Sequence, residues 1–550
     1  MNRMTNQELA NLLFPDVTET IADLQAKYPP RWHDKPVVRM APSPTGMFHI
    51  GNLFTGIVNE RFAHQQGWIF FRRVEDTDQE RKVEGAMEAV VDNMRYLWLD
   101  IDEGPLGPDF TDVGAYGPYV QSQRLHIYKV FAKYLVEQWL AYPCWMSPEQ
   151  MDSIREEQMK IKKAPGIYGN YSLRRNKTNE EYAAQYAIDK SCVLRFRSHG
   201  NVSARIVFED INRGKVSMAD NYNDTVLLKR NLGLPTYHLA HIVDDHLMRT
   251  THVTRGEERL TSVPLHLQLF NAFGLTPPQY CHLPLILKLD NGKKRKVSKR
   301  HDPEFDLRYL YEHGYSPEWL VMFVLTLIDS GYEERQKANL QTPYKEYAID
   351  LHRMNSSGAL WDTDKLNFIN NIYLSKISNQ QLFDETLNRA KQYRPEFATL
   401  IESDPAYALA AMSIERHTEL DPKRFSTYAD VQHQISFFFD TEYDKLLLTK
   451  PALPEMMTSE LIAKFVADYS EALDLTMTKE KWFAQLKEIG KKYGFAATNG
   501  EFKEGWYIGK VGDLAMFLRI QLACSPKTPD LYSMMQVMGK ERVMRRLQAD

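Results

Sequence analysis

The sequence predicts an α/β fold that is interrupted by an inserted segment and followed by a mainly α-helical C-terminal half. Three observations support this prediction. Residues 37–40 form a short apolar run with β-branched side chains, and residues 50–62 carry apolar side chains at helical spacing. Residues 138–226 change to charged helical segments and short apolar strands. After about residue 305 strand patterns become rare.

The first strand and the first helix of this fold enclose a turn. Prolines at positions 42 and 44 end the strand near Ala41, and residues 42–46 (PSPTG) are typical of a turn. A strand, a turn and a helix start offer unpaired N–H groups and a positive dipole end to a phosphate. His49 stands at the helix start, where an imidazole can donate to a nucleotide phosphate. A βα unit with a capping turn and a surface histidine is an equally simple interpretation of these residues.

A second strand is predicted over residues 68–74, and the acidic residues 75–78 follow it directly. Open α/β sheets bind ligands at the carboxyl ends of their strands. We therefore expect Glu75 at the mouth of a ligand-binding crevice.

A basic loop follows a second set of strand-like segments. Residues 290–300 (DNGKKRKVSKR) hold four lysines and two arginines around a glycine turn. Composition alone favours a solvated loop. Its position downstream of the first turn favours a phosphate site, because lysine is a flexible point charge that can follow phosphate groups.

Composition restricts the class of protein. The 550 residues predict two to four domains, with ordinary hydrophobic (43%) and charged (25%) fractions. The longest apolar run, residues 319–328, is too short to span a bilayer, and residues 1–30 lack a signal-peptide core, so we expect a cytoplasmic protein without a membrane segment. The net charge of −4 argues against indiscriminate nucleic-acid binding. The four cysteines are widely separated, which predicts neither disulfides nor a compact zinc site.

Several ordered segments resemble one enzyme family. Residues 39–51 (RMAPSPTGMFHIG) resemble the first signature of the class I aminoacyl-tRNA synthetases in its glutamyl form, and residues 73–78 (RVEDTD) resemble the segment that follows it. Residues 290–300 resemble the second class I signature. Further resemblances, in the order of the glutamyl enzymes, lie at residues 233–238, 242–245, 253–258, 349–370, 511–522 and 538–543.

The resemblance implies a Rossmann-like nucleotide-binding domain split by an acceptor-binding insertion. The implied organisation is an N-terminal extension (1–35), the first half of the catalytic domain (36–137), the insertion (138–226), the second half with the Lys-rich loop (227–304), a stem-contact domain (305–374) and a helical anticodon-binding domain (375–550).

The resemblance also implies a reaction and its residues. The implied activity is ATP-dependent activation of L-glutamate and its transfer to the 3′-terminal adenosine of tRNA(Glu), with Mg²⁺ accompanying ATP. His49 and Lys299 are the expected catalytic residues. The expected glutamate-binding residues are Arg39, Ala41, Ser43, Glu75, Tyr237, His241 and Arg255. The expected ATP-binding residues are Thr45, His49, Gly51, Glu258, Lys296, Ser298 and Lys299.

The sequence departs from the family pattern at three places. His241 stands where the family usually has asparagine; a protonated ring there would tighten glutamate binding as the pH falls toward about 6.5, whereas a neutral ring in a packed wall would not. The insertion offers only Cys144 near its start, so no structural zinc is expected. Cys524 replaces an expected glycine.

Two other functions remain open at this point. A tRNA-modifying glutamyl transferase would resemble only the catalytic half, and a non-catalytic tRNA-binding paralogue would not need His49 and Lys299. We expect a monomer. Whether tRNA(Gln) is also charged, and whether tRNA is needed for glutamate activation, is left open by the sequence.

Overall fold

The computed structural model describes residues 3–32, 34–44, 49–79, 85–97, 99–106, 110–298, 301–338, 343–354, 358–418, 424–503 and 505–548. The chain divides into two compact units. The first comprises residues 1–308 and 321–362, and the second comprises residues 309–320 and 363–550.

The first unit contains the sheets that the sequence predicts. Its strands are β1 (Val37–Met40), β2 (Ile69–Arg72), β3 (Gly104–Pro105), β4 (Asp112–Val113), β5 (Ala141–Cys144), β6 (Val193–Phe196), β7 (Arg205–Asp210), β8 (Gly214–Ala219), β9 (Val226–Leu228), β10 (His252–Gly256), β11 (Gln279–Leu283), β12 (Ile286–Asp290), β13 (Lys293–Lys296) and β14 (Ala359–Leu360).

The helices up to residue 338 are α1 (Asn6–Leu13), α2 (Ile21–Lys27), α3 (Ile50–His64), α4 (Ala86–Tyr96), α5 (Leu125–Glu137), α6 (Pro148–Lys160), α7 (Asn179–Ile188), α8 (Tyr237–Leu247), α9 (Val263–Ala272), α10 (Leu307–Glu312), α11 (Pro317–Ile328) and α12 (Ser330–Ala338). The chain passes from one unit to the other three times: within α10, within α11 and after residue 362.

The main sheet has the strand order β2-β1-β10-β11-β7-β8, and all neighbours are parallel except β7 and β8. All four residues of β1 are buried, which explains why three of them are apolar; the fourth is Arg39. The strand ends before Ala41 and α3 begins at Ile50, which confirms the predicted strand and helix. Residues 45 and 46 of the predicted turn lie outside the described residues. The second strand is shorter than predicted because pairing with β1 stops at Arg72.

The segment between α5 and α8 does not form a separate core. Its strands β5, β6 and β9 form an antiparallel sheet, and Leu194 and Phe196 share one hydrophobic cluster with Phe131 of α5 and Leu239 of α8. The hairpin β7–β8 instead extends the main sheet, through the pairing of Asp210 with Tyr280. The insertion therefore contributes residues both to the core and to the sheet that carries the turn.

The N-terminal helices α1 and α2 pack against α5, and α1 also contacts α7. Leu9 and Leu13 of α1 are buried in the same hydrophobic cluster, and the backbone N–H of Met4 donates to Glu180 at 2.7 Å.

The second unit is mainly helical, as the sequence predicts. Its later elements are α13 (Thr363–Lys376), α14 (Asn379–Tyr393), α15 (Pro395–Ser403), α16 (Pro405–Ser413), α17 (Tyr428–Ile435), α18 (Asp440–Leu447), α19 (Ser459–Ala472), α20 (Lys479–Lys492), β15 (Phe495–Ala496), α21 (Asn499–Lys503), β16 (Gly509–Lys510), α22 (Val511–Ala523) and α23 (Leu531–Leu547). Its core is formed by large side chains such as Phe465, Trp482 and Phe517. Cys524 follows α22 with a φ of 51°, the left-handed conformation in which glycine is favoured after a helix. Among the described residues, none of the helices combines the length and the apolarity needed to span a membrane.

Candidate active site

Two adjoining cavities lie where the carboxyl ends of β1 and β10 meet the start of α3. The first, which we call the inner cavity, has a volume of about 240 Å³. The second, the outer cavity, has a volume of about 460 Å³. Asn52, Thr55, Gly256 and Glu258 line both cavities, so a ligand in one can contact a ligand in the other.

The structure brings most of the predicted site residues to these cavities. Six residues predicted to bind glutamate line the inner cavity: Arg39, Ala41, Ser43, Glu75, Tyr237 and Arg255. Five residues predicted to bind ATP line the outer cavity: His49, Gly51, Glu258, Lys296 and Ser298. Thr45 and Lys299 lie outside the described residues. His241 lines neither cavity.

A buried network of charges supports the floor of the inner cavity. Nη1 of Arg73 donates to Asp245 at 2.7 Å, and its Nη2 donates to Glu75 at 2.9 Å. Nε of Arg39 lies 3.4 Å from the same oxygen of Asp245. Burial raises the pKa of Asp245, but the positive charges of Arg73 and Arg39 outweigh it and hold the pKa well below its usual range. Asp245 is therefore a fixed negative charge between two arginines.

Asp244 extends this network away from the cavity. Its carboxylate accepts hydrogen bonds from Nε of Arg124 at 2.7 Å and from the Tyr128 hydroxyl at 2.9 Å. Sequence reasoning assigned no role to Arg73, Arg124, Asp244 or Asp245. Two adjacent carboxylates within the apolar pattern of α8 were the available signal, because charged residues are almost never fully buried without a partner.

Arg255, near the end of β10, also lines the inner cavity. Its Nη1 donates to the Tyr237 hydroxyl at 2.7 Å, and its Nε donates to Nε2 of His282 at 3.1 Å. The guanidinium carbon of Arg259 lies 4.3 Å from the centre of the Tyr237 ring. These contacts place Tyr237 between two positive charges, which favours a negatively charged ligand nearby.

His241 lies behind Tyr237 instead of lining the cavity. Its ring is fully buried, stacks on Tyr237 with 5.7 Å between ring centres, and has Nδ1 2.7 Å from Asp245. Burial is the main cause that lowers the pKa of His241 to about 3. The expected contact of His241 with glutamate is therefore not supported, because His241 does not line the inner cavity, and of the two alternatives for the ring the structure favours the neutral one. The ring is a neutral part of a packed wall.

The buried, neutral ring of His241 predicts how glutamate binding depends on pH. Because the pKa of His241 is lowered, the ring carries no charge across neutral pH and gains none as the pH falls toward about 6.5. We expect His241→Asn to leave the pH profile of the glutamate KM unchanged between about pH 6 and 8. Steady-state kinetics across this range test it; a profile that flattens only in the variant would contradict it.

His49 caps α3 at the outer cavity. Its Nδ1 accepts a hydrogen bond from the backbone N–H of Gly51 at 3.2 Å, so the proton of a neutral ring is at Nε2. The ring stacks on Phe305 with 6.4 Å between centres. The site therefore combines a helix N-terminus with an imidazole N–H donor, an arrangement suited to phosphate oxygens.

The Lys-rich segment is a β-hairpin followed by an anchored loop. Asn291 and Gly292 form the turn between β12 and β13 with positive φ values of 49° and 76°, which confirms the predicted glycine turn. Asp302 accepts hydrogen bonds from Arg295 (2.7 Å), from Lys288 (2.9 Å) and from the backbone N–H of Ser298 (2.8 Å). The bonds from Arg295 chiefly hold the pKa of Asp302 well below its usual range. Sequence reasoning missed this carboxylate, which fixes Lys296 and Ser298 beside the outer cavity.

The cysteines bear on the zinc prediction. Cys144, Cys192 and Cys281 are buried free thiols, and Cys524 is half-buried. Within the described residues, the His, Cys, Asp and Glu side chains close enough to share a metal ion are Glu60, His64 and Asp100, a set without cysteine. A structural zinc site normally takes four Cys or His ligands. Elemental analysis of protein purified without added metal is expected to find no stoichiometric zinc, and one zinc per chain would contradict this.

Comparisons with known proteins agree with this geometry. Residues 35–368 match the family described as tRNA synthetases class I (E and Q), catalytic domain, and residues 389–550 match the family described as anticodon binding domain. The glutamate–tRNA ligase of Clostridium perfringens strain 13 is 40% identical over 548 residues, which cover 99% of this chain and 100% of that protein. The glutamate–tRNA ligase of Acetivibrio thermocellus is 38% identical over 550 residues, which cover 99% of this chain and 100% of that protein.

Solved structures extend the likeness to the fold. A glutamate–tRNA synthetase from Elizabethkingia anophelis matches with a TM-score of 0.70 and 28% identity, covering 94% of this chain and 99% of that one. A glutamate tRNA ligase from Elizabethkingia meningosepticum, in complex with its amino acid, matches with a TM-score of 0.68 and 26% identity, covering 94% and 98%. By its sequence, its parallel sheet and its two-cavity site, the chain belongs to the family of class I tRNA synthetases (E and Q).

Proposed function

We propose that the chain is an ATP-dependent glutamate–tRNA ligase that acts on tRNA(Glu). One observation carries this proposal beyond family membership. A small cavity lined by three arginines (Arg39, Arg255 and Arg259) and two carboxylates (Glu75 and Glu258) adjoins a larger cavity that holds a helix N-terminus, His49 and Lys296. The first suits an amino acid with two carboxylates and one ammonium, and the second suits a nucleoside triphosphate.

Glutamate is held through complementary charges in the inner cavity. Glu75 offers a negative charge to the ammonium group, and the Ser43 and Tyr237 hydroxyls complete the amino end. Arg39 meets the side-chain carboxylate, because a guanidinium donates two parallel hydrogen bonds to a carboxylate. Arg73 fixes the Glu75 carboxylate from behind, so the negative charge is already oriented before glutamate binds.

The reaction joins the two cavities. The α-carboxylate of glutamate attacks the α-phosphorus of ATP, the bond to the bridging oxygen breaks, and pyrophosphate leaves with the Mg²⁺ that accompanied ATP as part of the substrate. The glutamyl adenylate then gives its acyl group to a ribose hydroxyl of the 3′-terminal adenosine of tRNA, and AMP leaves with the electron pair of the broken bond. Since little covalent chemistry falls to the protein, catalysis consists of positioning and of stabilising charge.

Donors at the outer cavity stabilise the charge that develops on the phosphates. Nε2–H of His49 and the first turn of α3, which includes Gly51, face a phosphate group, and Glu258 lies on the wall that both cavities share. Thr45 is assigned to the same phosphate-binding group. Lys299 follows the leaving pyrophosphate, and Lys296 and Ser298 support its loop.

The wider setting follows from the same proposal. The helical second unit holds the residues that match an anticodon binding domain, which supports tRNA as the partner. We propose that the enzyme is a cytoplasmic monomer that needs no structural zinc. Charging of tRNA(Gln) in addition to tRNA(Glu) is decided by side chains that face the anticodon, and is measured directly with both tRNAs.

Exchange of labelled pyrophosphate into ATP, measured with glutamate in the presence and absence of tRNA, tests the activation step. Attachment of labelled glutamate to tRNA(Glu) tests the second step. We expect both activities from the purified chain. Exchange without any acylation of tRNA(Glu) would favour a transferase with another acceptor, and no exchange with any tRNA would refute the ligase assignment.

A further inference from the structure

A buried chain of hydrogen bonds connects the inserted hairpin β7–β8 to the inner cavity. Asp210, the last residue of β7, accepts a hydrogen bond at Oδ2 from Nδ1 of His282 at 2.6 Å. Nε2 of His282 accepts the Nε–H of Arg255 at 3.1 Å, and Nη1 of Arg255 donates to the hydroxyl of Tyr237 at 2.7 Å. Asp210, His282 and Arg255 are 2%, 0% and 6% exposed, so water does not compete for these bonds.

The carboxylate of Asp210 determines which nitrogen of His282 carries the proton. A carboxylate only accepts, so Nδ1 must donate and Nε2 is left with a lone pair. Burial is the main cause that lowers the pKa of His282, and the positive charge of Arg255 lowers it further. Asp210 acts in the opposite direction but does not outweigh them, so the ring is neutral. The Nε–H of Arg255 can only donate, so its hydrogen bond requires the lone pair on Nε2 of His282.

The same bonds leave Arg255 with a defined orientation. A guanidinium has five N–H groups. One goes to His282, one to Tyr237 and one to the backbone oxygen of Arg259 at 3.4 Å, which leaves two for a ligand in the inner cavity. The guanidinium carbon also lies 4.9 Å from the centre of the Tyr280 ring. Rotation about Nε would break several of these contacts together.

The turn of the hairpin β7–β8 is hydrogen-bonded to β11 next to Asp210 and His282. The backbone N–H of Ile211 donates to Tyr280 at 2.9 Å, and the Asn212 side chain donates to the backbone oxygen of His282 at 3.1 Å. Arg213 pairs with Glu257, the residue before Glu258 on the cavity wall. The position of Asp210 is thus set by the insertion and by the main sheet jointly.

We propose that Asp210 and His282 are positioning residues for glutamate binding, which act through Arg255 and touch no substrate. The proposal rests on the proposed function, since it takes Arg255 to contact glutamate. It assigns the inserted hairpin a part in shaping the amino-acid pocket. Neither residue lines either cavity, which separates this role from direct binding.

Asp210→Asn tests the proposal because an amide keeps the size of the side chain but has one oxygen in place of two. Oδ1 of Asp210 accepts the backbone N–H groups of Asn212 at 3.2 Å and of Arg213 at 3.1 Å, and Oδ2 accepts the backbone N–H of His282 at 3.1 Å and its Nδ1–H at 2.6 Å. In either orientation the NH₂ group of the amide meets donors: it faces His282 and forces the ring proton onto Nε2, opposite the Nε–H of Arg255, or it faces the hairpin turn and displaces the side chain from His282. Replacing an accepted hydrogen bond by two opposed donors is expected to raise the glutamate KM about 10-fold or more in tRNA acylation, with the ATP KM unchanged.

Two comparisons separate positioning from a general loss of structure. Glu209→Gln makes the same chemical change at the neighbouring exposed residue of β7 and is expected to leave the glutamate KM unchanged. Adding Asp210→Asn to Arg255→Ala is expected to change the glutamate KM less than twofold, because the guanidinium that Asp210 and His282 position is then absent. A full additional loss in the double variant, or an unchanged KM in Asp210→Asn, would overturn the proposal.

The tautomer of His282 gives a measurement on the unaltered protein. Nitrogen-15 NMR, with the His282 signal identified by its loss in His282→Gln, is expected to show a protonated Nδ1 and an unprotonated Nε2. The opposite tautomer would overturn the relay even if Asp210→Asn failed to fold. Absence of glutamate acylation by the unaltered chain would instead refute the proposed function, and this measurement would still stand.

Discussion

Replacing His49 with asparagine is expected to slow glutamate activation roughly 10²- to 10³-fold, the loss typical of a single phosphate or oxyanion donor. His49 has two roles that a simple truncation would confound. Its Nδ1 caps α3 through the N–H of Gly51, and its Nε2–H is the donor that we assign to a phosphate.

Asparagine separates these roles because its side-chain oxygen reaches about as far as Nδ1 and is among the best N-caps. His49→Asn therefore keeps α3 capped and removes only the distal donor. Its melting temperature should stay close to that of the unaltered protein. His49→Ala should lose the same activity and also destabilise the protein by about 0.5–2 kcal/mol, the usual cost of a lost cap.

The donor is assigned to the transition state, so the loss should fall on the rate and not on ATP affinity. Single-turnover formation of glutamyl adenylate measures the rate directly. His49→Gln is the matched comparison, since its amide can place an N–H near the position of Nε2. Equal activity of His49→Asn and the unaltered protein would mean that His49 serves only as a cap.

The sequence predicted the backbone around this part of the candidate site well because each signal was local. The prolines after β1, the apolar spacing of α3 and the glycine of the Lys-rich hairpin each determine backbone conformation within a few residues. His49 could therefore be placed at a helix start, and Glu75 at the carboxyl end of a strand, before any tertiary contact was known.

What the sequence could not supply is the pairing of distant charges. Arg73 and Asp245 are separated by 172 positions, and Asp210 and His282 by 72, yet both pairs are buried and in contact. The apolar pattern of α8 indicates that Asp245 is buried, but local spacing neither identifies its partner Arg73 nor marks Asp210 as buried. The orientation of His241 was not predicted although its contacts are local: Asp245 and Tyr237, each four positions away on α8, hold the ring facing inward.

The second large effect concerns selection of glutamate over glutamine. We expect Arg39→Ala to lose most of this selectivity, which a paired guanidinium provides because glutamine offers only one acceptor oxygen to its two parallel donors. Leaving a buried charge poorly paired costs on the order of 2–5 kcal/mol, which corresponds to a discrimination of roughly 30- to 5,000-fold. No editing step is needed at that level.

The structure gives a reason to favour Arg39 over Arg255 as the residue that distinguishes glutamate from glutamine. The hydrogen bonds of Arg39 within the described chain go to Asp245 and to the backbone oxygen of Thr254, both at 3.4 Å, so they occupy two of its five N–H groups. Arg255 has three engaged, including the short bond to Tyr237. Arg39 therefore has more donors left for a bidentate contact.

Removal of Arg39 should be tolerated by the fold. Asp245 keeps its 2.7 Å bond from Arg73 in the Arg39→Ala variant, so no buried carboxylate is left without a cation. The measured quantity is the ratio of kcat/KM for attaching glutamate and glutamine to tRNA(Glu), in the unaltered chain and in variants of each arginine. Arg39→Lys keeps the charge without the planar fork, and should retain part of the selectivity.

If Arg39→Ala keeps the full ratio while Arg255→Ala abolishes it, then Arg255 binds the side-chain carboxylate. In that case the Asp210 and His282 relay would control selectivity as well as affinity.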